Sequence, residues 1–133
     1  MERLNERITM AQRALSAFEE VMALDRSNTI VRDAAIHRFE FTFEAIWKVA
    51  KQMLFDVEGI DIGSPKGVIR SCREIGIFSE SDALQALQMV DHRNLTVHTY
   101  NEALAIEIYG QLAPYLKLLT HWLQEIRTRV SSN

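Results

Sequence analysis

Apolar residues recur at three- and four-residue steps along nearly the whole chain, and almost nothing interrupts them. Leu4, Ile8, Ala11, Leu15, Phe18 and Met22 form one stripe. Ile36, Phe39, Phe43, Ile46, Ala50, Met53 and Val57 form a second, widened by Phe41, Ala45 and Val49. Leu104, Ile108, Leu112, Tyr115, Leu119, Trp122 and Ile126 form a third. A period near 3.6 places each set on one face of a helix. With two prolines and five glycines in 133 residues, the helices can be long.

The punctuation divides the chain into five helices. The first runs over about residues 2 to 24, and Asp25-Arg-Ser-Asn28 breaks it, with Ser27 or Asn28 as the cap of a helix over about 29 to 57. Gly59 and Gly63 mark a loop; Ser64-Pro65 opens a short helix that Gly76 ends. Ser79-Glu-Ser-Asp82 reads as a capping box opening a fourth helix that ends near His98. Thr99-Tyr-Asn-Glu102 reads as a second box opening the last, and Pro114 predicts a kink there. The predicted fold is all-α: an antiparallel up-and-down four-helix bundle with one additional short helix, a single domain over residues 1–133. The helices offer more apolar surface than one bundle seam consumes, which predicts a homodimer.

Composition narrows the function. The single Cys72 forms no intramolecular disulfide, and one cysteine with four scattered histidines has no zinc-finger spacing, so no metal site is expected. The amino-terminal residues lack the apolar run of a signal peptide, and no segment approaches a membrane span; a cytoplasmic location follows as the expectation. A net charge of −3 argues against a general nucleic-acid coat but leaves room for a local basic site. Lys66, Arg70 and Arg73 share one face of the short helix and read as solvated surface.

The chemistry concentrates in Asp91-His92-Arg93-Asn94-Leu95-Thr96-Val97-His98-Thr99-Tyr100. Counting from Leu84 and Leu87, the inward stripe of helix four continues through Asp91, Asn94 and His98, so a core-facing surface is expected to turn polar. His98 at a helix C-terminus suits proton transfer near neutrality. Arg93 lies five positions earlier, roughly 140° around an ideal helix, so the two meet only if the helix loosens or a second subunit contributes. Glu40 and Glu44 share a narrow polar stripe and repel unless a cation is near; Arg93 is the expected partner.

Arg93-Asn-Leu-Thr-Val-His98-Thr-Tyr100 resembles the Arg-x4-His-x-Tyr motif of HEPN-domain proteins (higher eukaryotes and prokaryotes nucleotide-binding). Arg38-Phe-Glu-Phe-Thr-Phe-Glu-Ala-Ile-Trp-Lys48, followed by Ser64-Pro65-Lys66, is similar to the branch of nucleotidyltransferase substrate-binding proteins. The resemblance, over about residues 3 to 127, implies a dimeric helical bundle paired with a minimal nucleotidyltransferase encoded nearby. It implies that Arg93 and His98 are the catalytic pair of a metal-independent endoribonuclease toxin acting on RNA, with no cofactor. Tyr100 would be the residue that the partner adenylylates to silence it; Glu40, Glu44, Asp91 and Asn94 would support the site. The alternative is a non-catalytic subunit that binds a nucleotide or presents substrate. The chain has no P-loop and no transferase signature of its own.

Overall fold

The computed structural model describes residues 1–133, and all of its regular secondary structure is helical. Helix α1 spans Glu2–Met22, α2 Thr29–Glu58, α3 Pro65–Glu74, α4 Glu80–Leu95 and α5 Glu102–Ser131, with a 3₁₀ turn Thr96–His98 between the last two. α2 packs against each of the other four helices, most extensively α1 and α5. One continuous core results, with Phe18, Phe39, Phe43, Met53, Tyr115 and Trp122 at its centre. Phe39 stacks on Tyr115, ring centroids 5.7 Å apart, and leans against Phe18 at 6.1 Å, so one α2 side chain joins three helices.

The helix ends follow local chemistry. Asn28 Oδ1 accepts the Ile30 amide at 2.8 Å and opens α2, which stops at Gly59, held left-handed at φ 69°. Ser64 Oγ accepts the Gly67 amide at 3.1 Å with Pro65 beginning α3. A Cβ on Gly67 would lie 2.7 Å from the Ile62 side chain, so only glycine lets the incoming loop cross that close. Ser79 and Asp82 form the reciprocal capping box expected for α4. No helix is long and apolar enough to cross a membrane.

Three expectations change. The inward face of α4 is Ala83, Ala86, Met89 and Val90, whereas Leu84 is 62% exposed and Leu87 only partly buried. Small side chains dominate that face, whereas a count weighted by side-chain size selects the leucines. Phe41 does not widen the core either; it lies exposed beside His37. The cap of α5 is Asn101, whose Oδ1 accepts the Leu104 amide at 3.1 Å, while the Thr99 hydroxyl donates backward to the Thr96 carbonyl. α5 continues through Pro114 as one helix, with no proline amide to meet the Gly110 carbonyl.

Candidate functional site

The last turn of α4 brings Arg93 against the middle of α2. Its guanidinium nitrogens lie 3.9 Å from Glu40 and 3.6 Å from Glu44, with all three side chains partly shielded from water. These separations make an ion pair without a close hydrogen bond, so the donors of Arg93 stay largely uncommitted. Its Nε is buried with no partner. Glu44 is held from two further directions, accepting from Trp47 Nε1 at 3.1 Å and lying 3.9 Å from Lys48 Nζ. The two carboxylates one turn apart are thus tolerated because three donors surround them.

Beyond Leu95 the backbone tightens into the 3₁₀ turn. Thr96 is buried beneath it, its hydroxyl donating to the Arg93 carbonyl at 2.7 Å and facing Arg93 Nη1 at 3.3 Å. This turn delivers His98 to the surface. Its Nδ1 lies 3.2 Å from the Tyr100 hydroxyl, and the rings meet edge to face at 5.8 Å. Tyr100 is 84% exposed, as a residue at a chain reversal should be. No hydrogen bond joins Arg93 to His98. Tightening from 3.6 to 3.0 residues per turn carries the separation to roughly 200°, no nearer a shared face.

The other expected members lie apart from this pair. Asp91 pairs with Lys66 of α3 at 2.8 Å, and Asn94 is exposed without a side-chain hydrogen bond. Of the basic stripe on α3, Lys66 thus belongs to Asp91, Arg73 lies 3.9 Å from Glu80, and Arg70 faces solvent. The face turned inward by His92 was not anticipated. His92 Nδ1 hydrogen-bonds the buried Tyr115 hydroxyl, tying the site-bearing turn to the core. Burial first, and the Asp91 charge second, push the Tyr115 hydroxyl up to about 12. Trp47 and Thr96 were also missed: Trp47 follows Glu44 by three residues, a helical-neighbour signal available in the sequence, but Thr96 announces itself only through the 3₁₀ turn. No group of histidine, cysteine and carboxylate side chains is arranged to hold a metal ion.

With this geometry established, resemblances to known proteins become informative. Residues 6–128 match a family described as nucleotidyltransferase substrate binding protein like. The chain is similar to a Haemophilus influenzae protein named probable ribonuclease HepT, with 30% identity over 113 residues that cover 79% of this chain and 76% of that one. Its structure is similar to that of a Thermus thermophilus protein, at 47% identity and a TM-score of 0.85 over 89% of this chain and 99% of that one. The fold is also that of a tri-AMPylated Shewanella oneidensis HEPN toxin solved in complex with its MNT antitoxin, at 15% identity and a TM-score of 0.74, covering 94% and 96%.

Proposed function

The chain belongs to the nucleotidyltransferase substrate-binding protein-like family, and from that premise we propose that it is a single-domain HEPN endoribonuclease subunit, controlled by a separate minimal nucleotidyltransferase in the cytoplasm. The observation that carries this reading is the 3.2 Å contact between His98 Nδ1 and the exposed Tyr100 hydroxyl. A group attached to that oxygen stands directly against the imidazole. Adenylylation joins the tyrosine oxygen to the α-phosphorus of ATP with loss of pyrophosphate, adding volume and negative charge where an RNA phosphate would otherwise sit.

In the cleavage reaction His98 takes the proton of a ribose 2′-hydroxyl as that oxygen attacks the adjacent phosphorus. The 5′-oxygen of the next nucleotide leaves and receives a proton, and a 2′,3′-cyclic phosphate remains. Arg93, with donors left free by its long ion pairs to Glu40 and Glu44, stabilises the charge gathered on the phosphorane oxygens. Because no hydrogen bond joins the two side chains and helical counting sets them roughly 200° apart on one subunit, the working pair is formed across a homodimer. Exposed Leu95 and Val97, between Arg93 and His98 in the motif, supply apolar surface for that contact.

The test is inducible expression of wild type, His98→Ala and Tyr100→Phe, each with and without the neighbouring transferase, followed by RNA integrity and intact mass. Wild type alone should degrade RNA and His98→Ala should not. Tyr100→Phe should cleave and escape silencing, while silenced wild type should carry added mass on the Tyr100 peptide. Intact RNA throughout, with nucleotide bound, would favour the non-catalytic subunit.

A further inference from the structure

Between the start of α1 and the second half of α2, Arg3, Arg7, Lys48 and Lys51 line a cavity of about 370 Å³ together with Trp47, Gln52, Phe55 and Asp61. Four cations face one carboxylate here, in a protein whose net charge is −3. Like charges gathered on a fold cost stability unless something anionic compensates them. Lys48 reaches Glu44 only at 3.9 Å; Arg3, Arg7 and Lys51 have no carboxylate within 4 Å. Arg7 Nε is buried with no hydrogen-bond partner, a donor left open in a protein that satisfies most such groups. Phe55 presents an exposed ring at the same cavity.

From the cations, the open donor and the exposed ring, we propose that this cavity is a subsite for single-stranded RNA outside the cleavage centre, its cations holding backbone phosphate and Phe55 stacking a base. The inference deepens the ribonuclease reading and rests on it. Continuity with the cleavage centre runs through α2. Glu44 bears on Arg93 on one side and on Trp47 and Lys48 of the cavity on the other, and roughly 16 Å of helix separates Glu44 from Phe55. A strand cut beside Arg93 would thus be gripped a few nucleotides away. Phosphate contacts of this kind supply affinity and register without reading sequence, and an aromatic face accepts any base.

Fluorescence anisotropy of a labelled single-stranded RNA dodecamer on full-length His98→Ala protein tests the assignment without cleavage. Adding Arg7→Gln and Lys51→Gln together should weaken binding about tenfold near 0.15 M salt and lower the salt slope by about 1.4, the value for two single-strand phosphate contacts. Adding Phe55→Ala should weaken it at least fivefold with the slope unchanged. Arg70→Gln with Lys117→Gln, the same loss of charge elsewhere, should leave binding as it was. The proposal is overturned if both double variants behave alike, if the parent binds no RNA, or if the cavity variants lose RNA only because light scattering shows their oligomeric state has changed. AMP that saturates the cavity while RNA stays bound also overturns it, assigning the site to a free nucleotide. Wild type that leaves RNA intact while the cavity variants still lose binding rejects the ribonuclease reading alone; wild type that cuts RNA while the Arg7 and Lys51 variant binds like its parent rejects the cavity alone.

Discussion

Single side chains at the site do two jobs that can be measured apart. Tyr115 anchors His92 from inside the core, and its folded value of about 12 exceeds the ordinary 10.0 because burial disfavours the phenolate. Its contribution is therefore intact below pH 10 and lost as pH rises toward 12, where only the unfolded chain ionises readily. The loss is on the order of 2 kcal/mol. Tyr115→Phe should remove that alkaline decline while costing about 1 kcal/mol at neutral pH through the abandoned His92 bond, both visible in urea melts. At the opposite end of the scale, Arg32 grips Glu102 with two bonds of 2.7 and 3.2 Å and holds its carboxyl below the ordinary 4.5. That contribution is present above pH 4.5 and fades as acid protonates Glu102 in the folded state. Glu102→Gln should flatten the acid limb of the stability profile.

At the scale of elements, the junction between α4 and α5 sets where Tyr100 and His98 stand. Asn101 caps α5, and Thr99 ties back to the 3₁₀ turn. Asn101→Ala should cost about 1 kcal/mol and speed amide exchange at Leu104, whereas Thr99→Ala should leave that amide protected. This junction also shows what the sequence could and could not reveal. Long stripes such as Phe39, Phe43 and Ile46 announced α2 to within a residue at each end, since many positions repeat one signal. The Glu40 and Glu44 pairing with Arg93 followed from charge on a narrow stripe. A cap, by contrast, is a single hydrogen bond. Thr99 and Asn101 both satisfy its chemistry, and only the 3₁₀ turn, which consumes the Thr99 hydroxyl, decides between them. The face of α4 is hard to read for a related reason: alanine carries little hydrophobic weight, yet Ala83 and Ala86 are what α4 turns to the core.

For the molecule as a whole, the proposed cleavage centre takes Arg93 from one subunit and His98 from its partner, and that requirement is measurable. Light scattering should show a dimer at micromolar concentrations, and Val97→Asp should yield folded monomer with cleavage lost. A monomeric wild type that still cuts RNA would refute the composite centre. Arg129, in the last turn of α5, holds the middle of the chain together, with Nη1 2.7 Å from Glu58 and Nη2 donating to the Ile75 carbonyl at 2.6 Å. Arg129→Met should cost about 2 kcal/mol in thermal or urea unfolding. Because α5 also supplies Tyr115, Trp122 and Ile126 to the core, the helix that leaves the ribosome after the other four is the one that locks them together. A nascent chain therefore stays unfinished until α5 has emerged, and the last turn of α4 gains its anchor on Tyr115 only after that moment.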